Sequence, residues 1–242
     1  MIGLGTIINV AFVLVGTTVG LLVKKGIPER LQQTVISAVG LATCFIGISG
    51  VLSKMLYVQG GALQTRDTML LVLSLVIGAF IGELCDIERR LNSFGEFCKR
   101  KIRLKNADDT FVEGFVSASL LFCVGAMAIV GSLEDGLNGN ISTLFAKSVM
   151  DGTVAVFFAA SMGVGVYLSA LPVLVYQGAI TLLAGVIQPY LSETLINQVS
   201  MVGSVLIFAI GVNMLLKSKI RIGNLLPAVL IPPLYHLILK LL

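Results

Sequence analysis

Charged residues are scarce in this sequence. Only 12% of its 242 residues are Asp, Glu, Lys or Arg and 56% are hydrophobic, whereas soluble domains carry about 25% charged residues. Apolar runs of about 20 residues, long enough to cross a hydrocarbon core, recur along the whole chain and leave no room for a sizeable soluble domain. The composition therefore predicts a single transmembrane domain over residues 1–242, built as an all-α polytopic bundle.

Cysteine and histidine are also few. The four cysteines, Cys44, Cys85, Cys98 and Cys123, show no C-x-x-C spacing, and the single histidine is His236. This argues against a disulfide framework and against a zinc site. The sequence also lacks H-E-x-x-H, G-x-S-x-G and G-x-x-x-x-G-K-[ST] motifs. We therefore predict no metal, no cofactor and no enzymatic activity.

The apolar runs predict about eight helices. The first run has no basic n-region and no A-x-A site, so we expect a retained helix rather than a cleaved signal. The fifth and sixth helices are separated only around "YLSALP", and either two spans or one broken element fits this stretch. The predicted helices cover residues 3–24, 33–56, 68–86, 112–132, 144–168, 171–191, 196–216 and 222–241.

The basic residues predict the orientation of the helices. With the N-terminus outside, 13 of the 17 Lys and Arg residues fall in inner loops or at inner helix ends, as the positive-inside bias requires. Both termini are then outside. The formal charge of +4 reflects membrane orientation, and we expect no nucleic-acid partner.

The long basic loop predicts a helix on the membrane surface. Over residues 87–105, apolar side chains recur at helical spacing opposite many basic ones. Such a segment lies on the anionic lipids of the inner leaflet. An orientation anchor and a regulatory lipid sensor are the two interpretations of this cytoplasmic amphipathic segment.

A short internal similarity predicts a repeat. "VISAVGLATCF" (35–45) resembles "QVSMVGSVLIF" (198–208), and "LVGTTVG" and "LLAGVIQ" occur in the helices before them. Helices one to three would then correspond to helices six to eight, with repeat units at 1–92 and 171–242 and residues 111–170 between them. Because the offset of five helices is odd, the units would face opposite ways, as in many secondary transporters.

Two G-x-x-x-G motifs, "GTTVG" (16–20) and "GAFIG" (78–82), lie in predicted spans. Such glycines let helix backbones approach closely. They predict tight packing inside the bundle or, alternatively, a dimer face in a homo-oligomer.

Among the polar residues in the predicted spans, Asp151 has the highest free-energy cost of transfer into the membrane. It lies about 10–13 Å inside the fifth helix, where a central carboxylate costs at least about 2.5–3.5 kcal/mol. In the structural interpretation, Lys147 one turn away pairs with it; in the functional one, Asp151 binds a cation or carries a proton. The candidate binding residues are Asp151, Asn9, Gln177, Asn213 and Ser117.

Other polar or helix-breaking residues are secondary candidates. Glu83 and Glu113 lie at inner helix ends, and Pro227 begins a series of breaks in the eighth helix. The stretch "LEDGLNGN" lacks the ligand order of a calcium loop, so we expect a turn there. The secondary candidates are Glu83, Glu113, Lys147, Tyr176, Asn224 and Pro227.

Several phrases resemble a known family. "FVEGFVSASLLFCVGAMAIVGSLEDGL", "AKSVMDG", "GVGVYLSALPVLVYQGAITLLAG" and "RIGNLLPA", with "INVAFVLVGTTVGLL" and "GELCDIERRL", resemble the YdfK/YqgA integral membrane family of bacteria. The family is defined as one of unknown function and is often described as transporters. The resemblance implies a multi-pass protein of the bacterial cytoplasmic membrane and assigns no residue a role.

These observations predict a secondary transporter or channel for a small solute or ion. The alternative is a non-transporting membrane scaffold, and a membrane enzyme is the least supported class. A transporter predicts that several polar side chains converge on Asp151 in a wet cavity. A scaffold predicts a dry Lys147–Asp151 pair and an unbroken interior.

Overall fold

A computed structural model describes residues 2–25, 28–101, 110–216, 218 and 220–241. The helices are α1 Leu4–Lys25, α2 Glu29–Met55, α3 Thr68–Cys85, α4 Ile87–Lys101, α5 Phe111–Cys123, α6 Ala126–Asn138, α7 Ser142–Met162, α8 Ala170–Leu182, α9 Ala184–Ile187, α10 Glu193–Leu216, α11 Ile222–Leu225 and α12 Ile231–Leu241. Strands β1 Leu56–Gln59 and β2 Ala62–Thr65 form an antiparallel hairpin, and 3-10 segments cover Gly163–Ser169, Gln188–Tyr190 and Leu226–Leu230.

Several of these helices are long and apolar enough to cross a membrane, so the chain has the character of an all-α membrane protein. By length and hydropathy the described residues contain five such helices, or six if the bent pair α5 and α6 forms one span. The predicted count of eight is not reached by this criterion, for two reasons. By length and hydropathy alone, residues 142–182 count as a single stretch of 41 residues although they comprise α7, a 3-10 segment and α8, and the last predicted helix is short and broken around Pro227.

The fourth predicted helix is bent, and it is longer than expected. Helices α5 and α6 meet at an angle of 60°, because the backbone of Val124 and Gly125 is extended rather than helical. The expected turn at "LEDGLNGN" is wrong for its first six residues, because α6 continues to Asn138. Gly139 then ends the helix with a φ of 66°, a conformation that glycine adopts without strain.

The chain divides into two compact units, each assembled from two separate stretches. Unit 1 comprises Met1–Val39 and Leu91–Leu191, and unit 2 comprises Gly40–Arg90 and Ser192–Leu242. These units do not coincide with the predicted repeat units 1–92 and 171–242, because each combines an early and a late part of the chain.

In unit 1, α1 and α7 lie side by side and run in the same direction. A side chain at Gly16 would collide with the carbonyl of Gly152, and one at Gly20 would collide with the carbonyl of Val156. The "GTTVG" glycines therefore allow close helix packing within the unit.

The chain reverses direction within unit 1 between α7 and α8. Asn9 Nδ2 hydrogen-bonds both Asp151 and Gln177, although a straight helix would separate positions 26 residues apart by about 39 Å. Near the other end of α1, Thr18 hydrogen-bonds Tyr167 in the 3-10 segment. Helix α8 therefore runs antiparallel to α1, and the 3-10 segment Gly163–Ser169 makes the turn.

Unit 2 is built from antiparallel helix contacts. A side chain at Gly47 of α2 would collide with the backbone of Phe208 in α10, and one at Gly50 with Ser204. Likewise, Gly78 and Gly82 of α3 rest on the backbone around Ala228 and Asn224. The glycine-containing faces of α2 and α3 are thus covered within the unit.

Candidate functional site

Asp151 and Lys147 form a buried ion pair on one face of α7. Lys147 Nζ lies 2.5 Å from Asp151 Oδ2, and the two side chains are only 7% and 9% exposed. Their spacing of four residues places them one helical turn apart. Because the ammonium group is buried rather than extended to the membrane surface, it neutralises the carboxylate inside the unit. The pairing expected from the structural interpretation is therefore present.

Asn9 joins this ion pair to a third helix. Its Nδ2 donates to Asp151 Oδ2 at 3.0 Å and to Gln177 Oε1 at 3.2 Å. Both amide side chains are completely buried. Residues from α1, α7 and α8 thus converge at one place, which the sequence predicted for Asp151, Asn9 and Gln177. We call Asn9, Lys147, Asp151 and Gln177 the Asp151 group.

The Asp151 group keeps unused hydrogen-bonding capacity. Within the described part of the chain, Asn9 Oδ1 and Gln177 Nε2 are buried without a hydrogen-bond partner. An unsatisfied buried donor or acceptor costs about 1–3 kcal/mol. A further molecule that accepts from Gln177 and donates to Asn9 would remove both penalties. Such orphaned groups call for an explanation, and a bound water or ligand is one.

Asp135 is a buried carboxylate that the sequence reasoning missed. It is fully buried in the last turn of α6 and accepts hydrogen bonds from the backbone N–H groups of Gly3 and Gly5, at 3.2 and 3.1 Å. It thus satisfies free donors at the start of α1, where a negative charge is also favoured. The apolar positions before "LEDG" were the available signal that a helix continued to Asp135.

The other unit 1 candidates have different surroundings. Ser117 is buried in α5, but the hydrogen bonds described around Asp151 do not include it. Tyr176 is half-buried next to Gln177 on α8, and Glu113 is exposed in the first turn of α5. The group around Asp151 therefore contains fewer residues than the predicted site.

Asn213 is placed in a structural role. Its side chain donates to the carbonyl of Ile220 and accepts from the Ile220 N–H and the Ser218 hydroxyl. All three contacts hold the chain that leads out of α10. The expectation that Asn213 contributes to a site with Asp151 finds no support in these contacts, because its polar atoms are already engaged.

Glu83 and Asn224 belong to a polar network in unit 2. Glu83 accepts from Arg221 and from Asn224 Nδ2, both at 2.6 Å. Asn224 Oδ1 accepts from the Glu88 N–H, and the Glu88 carboxylate accepts from the Gly223 N–H. We call Glu83, Glu88, Arg221 and Asn224 the Glu83 network. It fastens the start of α11 to the junction of α3 and α4.

Pro227 lies at the break in the last predicted helix. It is buried at the start of the 3-10 segment Leu226–Leu230, which packs against Gly78 of α3. The break predicted there is thus a short 3-10 segment that packs against α3.

The Asp151 group combines a buried ion pair with unused amide atoms. Its ion pair carries no net charge, and its free atoms belong to amides. Across the residues that the structure covers, no cluster of three or more His, Cys, Asp or Glu side chains could hold a metal ion. The arrangement can hydrogen-bond a small molecule while the ion pair supplies charges that a proton or ion could separate.

Comparison with known proteins identifies relatives along almost the whole chain. An uncharacterized membrane protein of Bacillus subtilis (strain 168), YdfK, is 31% identical over 229 residues, covering 95% of this chain and 93% of the relative. An uncharacterized protein of Escherichia coli (strain K12), YqgA, is 32% identical over 231 residues, covering 94% of each. No solved structure matches the chain significantly. Residues 4–237 match the family described as protein of unknown function DUF554. The chain therefore belongs to the DUF554 family, which confirms the resemblance to YdfK and YqgA.

Proposed function

We propose that the protein is a secondary transporter or channel for a small solute or ion, with the Asp151 group as its binding site. The observation that carries this proposal is the combination of a buried ion pair with buried amide atoms left over beside it. Intramembrane ionisable residues that face a bundle interior mark substrate or ion pathways. The solute would be moved without chemical change, in keeping with the prediction that the protein is not an enzyme.

The unused amide atoms favour this function over a scaffold. In a scaffold, the polar side chains would satisfy one another, because each unsatisfied group in a membrane interior costs free energy. Asn9 and Gln177 satisfy one another only in part: one donor and one acceptor remain. A bound solute or water would satisfy both remaining amide atoms.

The ion pair provides a means of coupling transport to a proton or a cation. If Asp151 takes up a proton or a cation, its attraction to Lys147 weakens and Asn9 loses its strongest acceptor. A ligand at the amides would respond to that change because Asn9 contacts both Asp151 and Gln177. This coupling needs differential binding in the two charge states.

The proposed topology has eight crossings with both termini outside and an inverted repeat of helices one to three and six to eight. In unit 1, α1 and α7 run in one direction and α8 runs in the other, which supports this scheme. Opposite accessibility of single cysteines placed in α1 and α8 would test the repeat.

We place the protein in the bacterial cytoplasmic membrane. The relatives come from Bacillus subtilis and Escherichia coli, and the first is named a membrane protein. Helix α4 begins with two exposed arginines, Arg89 and Arg90, and Phe94 contacts Phe115 of α5 with ring centroids 6.0 Å apart. This supports α4 as an inner-surface helix on anionic lipid. The part of the predicted segment from residue 102 to 105 lies outside the described residues.

A ligand screen on purified protein tests the proposed function. The unfolding temperature in detergent would be measured with a panel of monovalent and divalent ions, amino acids, sugars, polyols and amides. We expect at least one compound to raise the unfolding temperature of the wild type and not of Asp151→Asn. Binding to the folded state stabilises it by mass action, and the variant lacks the charged partner.

Two further variants make the result interpretable. Asp86→Asn makes the same chemical change at a half-buried helix end and should keep the wild-type response. Lys147→Met combined with Asp151→Asn removes the unpaired ammonium, so a folded protein is available even if Asp151→Asn unfolds. If no compound stabilises the wild type, or if the stabilisation persists in both Asp151 variants, the proposal is wrong.

The second candidate function is a membrane scaffold. The close ion pair and the glycine faces covered within each unit favour it. A scaffold predicts that a double apolar replacement of Lys147 and Asp151 leaves the physiological role intact. A transporter predicts that this replacement abolishes transport while the protein remains folded. Formation of a homo-oligomer stays a prediction under either function.

A further inference from the structure

Three more buried hydroxyl groups accompany the Asp151 group in unit 1. The side-chain oxygens of Thr6, Ser132 and Thr181 are buried and have no hydrogen-bond partner among the described residues. Together with Asn9 and Gln177 they account for five of the seven such residues in the described chain. We call these five residues the polar row.

Members of the polar row on the same helix lie on one face of that helix. Thr6 lies three residues before Asn9 on α1, and Thr181 lies four residues after Gln177 on α8, so each pair shares one helix face. Because α1 and α8 are antiparallel and meet at Asn9 and Gln177, both threonines lie on the side toward the start of α1. The row therefore extends from the Asp151 group toward that end of the unit.

Helix α6 contributes the third side of the row. A side chain at Gly136 would collide with the carbonyl of Thr181, so α6 and α8 are in close contact there. Ser132 lies one turn before Gly136 and shares the face of α6 that packs against α8. Asp135 of the same helix binds the N–H groups of Gly3 and Gly5 and thereby holds the start of α1 against α6.

These hydroxyls differ from several other buried hydroxyls among the described residues, although Ser74 and Ser200 also lack a partner. Thr17, Ser148 and Ser204 each donate to the carbonyl four residues earlier in their own helix, the usual way to satisfy a hydroxyl in a membrane helix. Ser132 and Thr181 also have a backbone carbonyl four residues earlier in their own helices. Their side-chain oxygens nevertheless have no hydrogen-bond partner in the described structure. Orphaned groups in a row indicate an unseen hydrogen-bonding occupant.

The chemistry of the row specifies that occupant. Its free groups are an amide donor, an amide acceptor and three hydroxyls that can do either, while the adjacent ion pair is already neutralised. A bare cation or anion would find no net opposite charge in the row and would be poorly compensated for its lost hydration.

We propose that the polar row binds small uncharged solutes that both donate and accept hydrogen bonds, such as polyols, urea or primary amides, and conducts them between the Asp151 group and the start of α1. This inference rests on the proposed function and names its substrate class. It assigns Thr6, Ser132 and Thr181 to solute binding.

Reconstituted protein tests the inference directly. Vesicles containing the full chain would be subjected to inward gradients of glycerol, urea and acetamide, and solute entry followed by light scattering. Entry of Na⁺, K⁺, Cl⁻ and protons would be followed with fluorescent indicators. We expect the wild type to raise entry of at least one uncharged solute above that of protein-free vesicles. Thr181→Val and Ser132→Ala should each lower this entry about fivefold, as for loss of one net hydrogen bond.

Matched variants separate a binding role from a structural one. Thr17→Val and Ser204→Ala remove buried hydroxyls that bond their own helices, so entry should stay at the wild-type level. Unfolding temperatures of all variants check that they are folded. Thr6→Val provides a second member of the row if Thr181→Val or Ser132→Ala does not fold.

The outcomes distinguish this inference from the proposed function. If only ions enter and this entry requires Asp151, the transporter proposal stands and the uncharged-solute inference is overturned. The inference is also overturned if uncharged solutes enter but the row variants behave like their controls. If neither ions nor uncharged solutes enter faster than in protein-free vesicles, both proposals are wrong.

Discussion

The Asp151 group and the Glu83 network contain similar residues but differ in burial and in completeness. In each, a carboxylate contacts both a cation and a side-chain amide: Asp151 contacts Lys147 and Asn9, and Glu83 contacts Arg221 and Asn224. In the Glu83 network, Glu83 and Arg221 are both 61% exposed, and the Asn224 amide engages both its oxygen and its nitrogen. In the Asp151 group, the charges are about 90% buried and two amide atoms remain unused.

This difference is the basis of our proposal that the Asp151 group has a function beyond holding helices together. An exposed network can complete its hydrogen bonds with water, so its geometry imposes little cost. A buried group has no access to bulk water, so each unused donor or acceptor lowers the stability of the folded state. Leftover capacity at a buried site is therefore more informative about ligand binding than the presence of charges.

Breaking the buried ion pair is expected to give the largest effect. Lys147→Met alone or Asp151→Leu alone should lower the free energy of unfolding by about 3–5 kcal/mol, because the remaining charge is buried without its partner. The double variant Lys147→Met/Asp151→Leu should recover most of that loss. Unfolding in mixed micelles with increasing SDS, followed by circular dichroism, measures the cycle. Additive losses in the double variant would show that the charges do not interact in the folded protein.

Disturbing the helix contact beside each group sharpens the comparison. Gly16→Ala would push against Gly152, the neighbour of Asp151, and Gly82→Ala would push against the backbone of Asn224. Each should lower the free energy of unfolding by about 1–3 kcal/mol. Only Gly16→Ala should also weaken the thermal stabilisation by ligand.

The control for these substitutions is Gly178→Ala on α8, where a new methyl group meets open space. It should leave stability unchanged or raise it by up to about 1 kcal/mol. Equal loss of ligand response in Gly16→Ala and Gly82→Ala would contradict the assignment of binding to the Asp151 group.

Removing the exposed carboxylate is expected to have the smallest effect. Glu83→Gln should lower the free energy of unfolding by no more than about 1 kcal/mol, because the ion pair with Arg221 is largely exposed to solvent. The same titration measures it, and the ligand response should equal that of the wild type. A loss as large as that of Asp151→Leu would mean that the Glu83 network is more important to the fold than its exposure implies.

The sequence predicts the helical membrane character and the main elements well. Long apolar runs were sufficient to locate α1, α3 and α10, because hydrophobicity and length determine which segments cross a membrane. The bend at Val124 and Gly125 was missed, since the apolar run continues through it without interruption. A break in backbone direction leaves no trace in hydropathy.

Part of the site was predictable, and part was not. Asp151, Asn9 and Gln177 are conspicuous because polar side chains in apolar runs need partners. Asn213 looks the same in sequence, yet its partners lie in the adjoining loop. Thr6, Ser132 and Thr181 could not be distinguished from Thr17 or Ser148, because only the three-dimensional structure shows which hydroxyls bond their own helix.

The hydrogen bond from Asn9 to Asp151 has a consequence for biosynthesis. Helices enter the membrane in the order of translation, so α1 is present before the charged helix α7 emerges. The carboxylate of Asp151 then finds Lys147 on its own helix and the Asn9 amide already in place. Gln177 arrives last, when the turn at Gly163–Ser169 brings α8 back beside α1. We therefore expect Asp151 to have a polar partner at every stage of insertion.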